Sequence, residues 1–259
     1  MVILNNSEGA YDDNKYSFSK LSSFNNCKYG FYQQYIEHKI GVGNCFSSYG
    51  TLLHSLLERY ATGKLSLGDL VNTYEWEFNT YVPESFPNTK YCPDMRKLYY
   101  EQGLEFLKKF KGYSGLDILE VERKFTIPLF DWDFTGVIDL VFIDKLTNEL
   151  VVRDWKSKAS FKSKTEENKY MRQLYLYSIY LKDKYGKYPD KLQFYLFRKN
   201  KIIETPFNEE GLKEAMDWAN NTVKEIRQCW SYPPSPDPWF CNQLCNYRLE
   251  CPYKAKEAS

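Results

Sequence analysis

The sequence predicts an α/β fold with a central mixed β-sheet flanked by helices, and three observations carry that reading. Apolar residues recur at helical spacing through residues 17–110, the pattern turns β-rich after Asp117, and helix, strands and helix then follow to Cys229. The composition is ordinary for a globular protein at 43% hydrophobic and 27% charged, which excludes a disordered, collagenous or coiled-coil chain. A length of 259 residues suits one large domain or a domain with an appended lobe.

The elements follow in order. Residues 17–40 place Leu21, Phe24, Phe31 and Tyr35 near helical spacing, with Ser19 available as a cap. After Gly41 and Gly43, SSYGTLLHSLLERYATG carries an apolar stripe of Leu52, Leu53, Leu56 and Leu57; His54 and Glu58, four apart, share another face. Two further helical patterns cover residues 67–81 and 94–110, separated by PESFPNTKYCP. ILEVERKFTIPL, FTGVIDLVFI and ELVVRDWKSK, divided by FDWD and DKLTN, predict a three-stranded meander. Residues 166–185 return to a helix with Tyr170, Leu174, Tyr177 and Leu181 on one stripe. The strand LQFYLFRKN, a hairpin into KIIETPF and a helix over 209–229 complete the pattern. PPSPDP is a stiff spacer into WFCNQLCNYRLECPY.

Lys+Arg number 35 against 34 Asp+Glu, so a nucleic-acid surface has to come from local clustering. Residues 151–172 supply one: Arg153, Lys156, Lys158, Lys162, Lys164, Lys169 and Arg172 face only Asp154, Glu166 and Glu167. A solvated loop and helix face is the commoner meaning of such a run. Aromatic residues make up 18%, and those near Tyr29 to Tyr35 are candidates for stacking unpaired bases. No export signal and no long apolar run stand out, so the chain is expected to be soluble and cytoplasmic, without membrane contact. There is no G-x-x-x-x-G-K-[ST] phosphate loop and no G-x-S-x-G elbow, which excludes a motor or that type of serine hydrolase within this chain.

Strand alternation points Asp154 and Lys156 of VVRDWKSK to one side. In GVIDLVF, Asp139 stands alone among apolar neighbours, a costly position unless it meets a cation or metal. If these strands are adjacent, the two carboxylates converge on one divalent ion; taken singly, each reads equally as a member of an ordinary ion pair.

Taken together, the motifs resemble the RecB-like branch of the PD-(D/E)XK nuclease superfamily, which includes the RecB and AddB nuclease domains and the nucleases of CRISPR adaptation. His54 and Glu58 match its H-x-x-x-E helix, Gly136 and Asp139 its G-x-x-D, Asp154 and Lys156 its D-x-K, and Gln173 and Tyr177 its Q-x-x-x-Y. The resemblance implies a restriction-endonuclease-like core in a single nuclease domain over residues 1–259, with a helical N-terminal region at 17–112, a catalytic core at 113–230 and a Cys-rich segment at 231–259. It implies Mn2+ or Mg2+ held by His54, Asp139, Asp154 and the Trp155 backbone carbonyl. Lys156 would act on the attacking water, with Gln173 and Tyr177 positioning the DNA backbone or the lysine. The expected activity is a deoxyribonuclease, an exonuclease on single-stranded DNA or DNA ends. Its setting would be recombination, repair, phage DNA processing or CRISPR adaptation, with proteins of those processes or a helicase as partners. A noncatalytic DNA-binding or assembly subunit, and a nuclease component of a larger helicase complex, are the alternatives.

Seven cysteines, an odd number in a large chain, favour metal or cluster ligation over disulfides. Cys241, Cys245 and Cys251 lie close together, and Cys27 could supply a fourth thiolate for zinc or an iron-sulfur cluster. The resemblance implies a [4Fe-4S] cluster on these four residues that packs the N-terminal region and the tail together. The tail reads C-x3-C-x5-C where the family commonly has C-x2-C-x5-C.

Overall fold

A computed structural model describes residues 2–3 and 13–254; the parts of residues 1–259 and 231–259 beyond these lie outside the described residues. In chain order the elements are β1 (Val2–Ile3), β2 (Lys15–Tyr16), α1 (Phe18–Asn26), α2 (Lys28–Phe31), α3 (Cys45–Ala61), α4 (Leu70–Tyr81) and α5 (Met95–Lys109). They continue as β3 (Leu116–Leu129), β4 (Trp132–Asp144), β5 (Leu150–Lys156), α6 (Lys164–Tyr185), β6 (Lys191–Leu196), β7 (Lys201–Pro206), α7 (Glu209–Arg227) and β8 (Ser231–Tyr232). The chain divides into two compact units.

The unit of Cys45–Phe125 and Val137–Ala215 contains the mixed sheet. β4 runs antiparallel to β5, from the pair Leu140–Arg153 to Ile143–Leu150. β5 runs parallel to β6, from Val151–Lys191 to Lys156–Leu196, and β6 is antiparallel to β7. A parallel pair needs a crossover, and α6 supplies it. Ser163 caps that helix by accepting from the Glu166 N–H, and Gly186, at φ +74°, ends it in the left-handed region. The leucine stripe of α3 is fully buried in one core with Leu140, Phe142, Val151 and Trp155. Sealed on both faces, β5 carries the run LVVRDWK with all but its last residue buried. Arg153 and Asp154 are therefore drawn into the interior.

The other unit comprises Met1–Asn44, Thr126–Gly136 and Met216–Ser259. Here β2 pairs in parallel with Asp133 and Phe134 of β4, and β1 pairs antiparallel with β8. Residues 41–44 lie against the tail: Val42 N–H donates to the Asn246 carbonyl at 2.8 Å, and Asn44 Nδ2 to the Leu244 carbonyl at 3.1 Å. Gly41 is required there, because a Cβ would stand 2.5 Å from that of Asn246.

Two local expectations are corrected. The cap of α1 is Ser17, whose extended backbone lets its hydroxyl accept from the Lys20 N–H; Ser19 is already inside the first turn. The run LQFYLFRKN leaves the sheet after Leu196, and Phe197–Lys199 form a 3-10 turn closed by Asn200 at φ +46°. Alternation alone does not mark that departure, because Phe197 stays buried.

Candidate metal centre

One step beyond the Leu140–Arg153 pair, the antiparallel register sets Asp139 against Asp154, and facing residues project to the same side. Both are interior, with 6% and 3% of their surface exposed. Asp139 Oδ2 accepts from the Trp155 N–H at 2.6 Å. Asp154 Oδ2 lies 2.6 Å from Lys156 Nζ, two residues along the same strand face. Lys156 in turn donates to Gln173 Oε1 at 3.0 Å, and Gln173 Nε2 to the Tyr177 hydroxyl at 2.7 Å. Gln173 and Tyr177 are one turn apart on α6. Carboxylate, ammonium, amide and phenol thus form a chain that fixes the lysine.

His54 enters from α3. Its Nε2 stands 3.0 Å from the Trp155 carbonyl, and its Nδ1 3.7 Å from both Asp139 Oδ2 and Glu122 Oε1. The rings of Trp155 and Phe197 flank it edge-on at 5.4 and 5.6 Å. Among the described residues, His54, Glu122 and Asp139 are the one group of His, Cys, Asp or Glu whose ligand atoms all lie within 4.8 Å of one another.

The sequence reading missed Glu122. It lies in β3 with φ +46°, a conformation that non-glycine residues adopt at a cost and that tends to occur at functional sites. The alternation of Glu120 and Glu122 within a β-rich run was the only signal, and it does not distinguish them. Glu120 faces Tyr180 and Lys184, whereas Glu122 faces His54. Glu58, the sequence partner of His54, falls outside the group.

Burial, then the charge of Asp154, pushes the Asp139 carboxyl up to about 7, against the opposing pull of His54, the Trp155 N–H and Lys156. Burial by itself lowers the His54 pKa, but Asp139, Glu122 and Asp154 outweigh it and raise it above its ordinary value. Burial, reinforced by Asp154, also raises Tyr177, which keeps its phenol protonated.

A divalent cation fits this donor set. Carboxylate oxygens with one imidazole suit Mn2+ or Mg2+. If His54 Nε2–H donates to the Trp155 carbonyl, the Nδ1 lone pair faces the carboxylates, the usual bracing of a metal-binding histidine. In this arrangement the Trp155 carbonyl is engaged by His54, and Asp154 Oδ2 by Lys156.

The sequence profile of the PD-(D/E)XK nuclease superfamily matches residues 15–255. The chain belongs to that superfamily. Among the solved structures that resemble it are two of low identity. One is a "putative exonuclease" from Eubacterium rectale, 14% identical, with 99% of this chain and 96% of that chain covered and a TM-score of 0.50. That likeness bears on the fold alone. The other, SSO0001, is 15% identical over 95% of this chain and 89% of that chain, and its TM-score of 0.39 carries no argument. No curated protein matches the chain.

In this PD-(D/E)XK chain a second chemical feature sits in the other unit. Cys27, Cys241, Cys245 and Cys251 line one cavity together with Tyr29, Phe240 and Tyr253. Three of the sulfurs accept backbone N–H groups: Cys27 from Gly30 and Ser235, Cys241 from Asp237, and Cys245 from Tyr247, at 3.3 to 3.5 Å. Burial and the three neighbouring thiols raise the pKa of Cys245. Cys45 and Cys92 do not line this cavity, and the buried Cys229 thiol donates to the Ser231 carbonyl.

The expected DNA-facing groups are largely committed elsewhere. Arg153 is buried and gives two hydrogen bonds to Gln193, while Lys158, Lys164 and Arg172 pair with Glu166, Glu167 and Glu214. Tyr29, Phe31 and Tyr32 are buried rather than displayed for bases; Tyr29 meets Tyr253 edge-on at 4.9 Å. Aromatic richness here serves packing. No helix among the described residues is long and apolar enough to cross a membrane.

The pocket electrostatics set a pH dependence. Asp139 and His54 both have raised folded pKa values, so each contributes stability at low pH that is lost as pH rises through its folded pKa. Metal-free protein should therefore lose stability as pH rises from about 4 through about 7. Asp139→Asn, which keeps an acceptor for the Trp155 N–H, should be more stable than the parent near pH 8 by about 1–3 kcal/mol in urea unfolding. Equal stability of the two proteins there would contradict the electrostatics described.

Proposed function

We propose that this chain is a Mn2+- or Mg2+-dependent deoxyribonuclease, an exonuclease acting on single-stranded DNA or DNA ends. The observation that supports this most is the convergence of two buried carboxylates, an imidazole and an ammonium in one pocket. Asp139, His54 and Glu122 would hold the cation, with Asp154 beside them. When bound, the metal supplies Lewis acidity toward a phosphate oxygen and a water acidified for attack.

The remaining work falls to the chain itself. Lys156, 2.6 Å from Asp154, offsets negative charge as it builds on the phosphate and orients the attacking water. Gln173 is a positioning residue: it binds the Lys156 ammonium, and Tyr177 holds the amide. The Trp155 carbonyl aims His54, and its N–H holds one oxygen of Asp139 in place. A module that only bound DNA would have no use for a buried carboxylate pair with a tethered lysine, which disfavours the noncatalytic reading.

We further propose that Cys27, Cys241, Cys245 and Cys251 bind a [4Fe-4S] cluster with a structural role. Four thiols on one cavity support it, as do the N–H groups directed at three of the sulfurs. Zinc, the alternative, would draw sulfurs to about 3.8 Å apart. Among the described residues no three of these thiols lie within 4.8 Å of one another.

With end-labelled single-stranded DNA and Mn2+ or Mg2+, the parent should release nucleotides and chelator should stop it. Lys156→Ala and Glu122→Gln should each lower the rate by about 10²-fold or more while unfolding like the parent; full activity in Lys156→Ala would remove it from the chemistry. Anaerobically purified protein should be brown, with broad absorbance near ~400 nm that is lost in Cys245→Ser. A colourless preparation with stoichiometric zinc would overturn the cluster.

A further inference from the structure

Apart from the metal pocket, the same unit has a cationic cavity of about 160 Å³ between α5 and the turn that follows β6. Gln102, Glu105 and Lys109 of α5 face Arg198, Lys199 and Asn200 of the turn across a floor of Phe106 and Phe197. The space is small for a whole cofactor but ample for a phosphate group.

Its charge is unevenly balanced. Glu105 pairs with Lys109 at 2.5 Å, and that bond, with a contribution from Lys199, holds the Glu105 carboxyl below its usual range. Lys109 is thereby neutralised. Among the described residues no carboxylate lies within ion-pair distance of Arg198 or Lys199, so the lining carries three cations against the one carboxylate of Glu105.

Arg198 is also held rigidly. Its Nε donates to Gln102 Oε1 at 2.6 Å, its Nη1 to the Tyr99 hydroxyl at 2.8 Å, and its guanidinium lies 4.0 Å over the centre of the Tyr99 ring. A preset guanidinium fork loses little freedom on binding a carboxylate or phosphate. Here the protein provides the fixing and no anion.

The cavity adjoins the metal pocket. β6 ends at Leu196, the register partner of Lys156, and the next residue, Phe197, forms part of the cavity floor. The ring of Phe197 meets His54 edge-on at 5.6 Å on one side and Phe106 at 4.9 Å on the other. Phe197 therefore touches a residue of the metal pocket and also lines the cavity. A DNA strand offers a phosphate at every nucleotide, so a strand with one phosphate at the metal pocket has others to present nearby.

We propose that this cavity is a second phosphate subsite, in which Arg198 and Lys199 grip a backbone phosphate of the DNA strand a short way from the scissile bond. The proposal rests on the nuclease reading and goes beyond it by assigning residues outside the metal pocket. It attributes the strand's hold on the enzyme to this cavity rather than to the basic run at residues 151–172, most of which is paired internally.

The test measures binding of a fluorescent single-stranded oligonucleotide to full-length protein in chelator across a range of KCl concentrations, with cleavage in Mn2+ followed in parallel. Lys199→Ala alters an exposed side chain and should unfold like the parent; Arg198→Lys keeps the charge and loses the fork. Each should weaken binding by about 3- to 10-fold. Lys199→Ala combined with Arg198→Gln should lower the slope of log affinity on log salt by about 0.7, the change expected when one phosphate is no longer neutralised. Inorganic phosphate should compete with the oligonucleotide in the parent and less in the double variant. If the parent binds and cleaves while the variants keep its affinity and salt slope, the subsite is wrong and the nuclease reading stands. Variants that lose phosphate competition alone would mark a site for free anion, which also overturns the proposal. A parent that neither binds nor cleaves DNA sinks both.

Discussion

The structure turns on burying acidic groups in the middle of a sheet. β5 is enclosed on both faces, yet it places Arg153 and Asp154 side by side in the interior. Alternation sends them to opposite faces, where they are satisfied differently. Arg153 meets Gln193 and lies 4.7 Å from the centre of the Phe142 ring, a neutral setting in which burial lowers its pKa. Asp154 meets the ammonium of Lys156. Asp139, on the neighbouring strand, has one backbone N–H and a histidine at 3.7 Å. That is weak compensation for a buried carboxylate next to another, and its raised pKa expresses the deficit. A dication would supply the missing positive charge. Protonation, the substitute in its absence, weakens as pH rises.

The surrounding structure holds this imbalance in place. The leucine stripe of α3 is buried in the core that includes Trp155, which fixes where His54 emerges. The crossover helix α6 brings Gln173 and Tyr177 to the far side of Lys156. The strained backbone at Glu122 adds a third ligand-type group. Each element would be an ordinary part of an α/β fold without these side chains. The chemistry depends on where the sheet register and helix faces bring them together.

Much of this was legible in the sequence, for identifiable reasons. The leucines of α3 and the stripe of α6 show the helical period, and β-branched runs divided by polar turns mark the meander. Asp139 stood out because a single charge in an apolar strand requires explanation, and Asp154-x-Lys156 because residues two apart share a face. Glu122 was not legible: its role depends on a left-handed backbone angle in β3, which no local pattern announces. In the basic run Lys158 and Lys164 pair with Glu166 and Glu167 of the same segment, whereas the partner of Arg172, Glu214, is remote in sequence. Arg198 was equally hidden, since its importance comes from Tyr99 and Gln102 on a distant helix.

The central claim is that the pocket of His54, Glu122, Asp139 and Asp154 grips a divalent cation, and calorimetric titration of Mn2+ into metal-free protein tests it most directly. The account predicts a saturable site at about one equivalent, with proton release near neutral pH as Asp139 and His54 give up their protons, and loss of that site in Asp139→Ala. Absence of saturable binding, or binding that survives unchanged in Asp139→Ala, would contradict it.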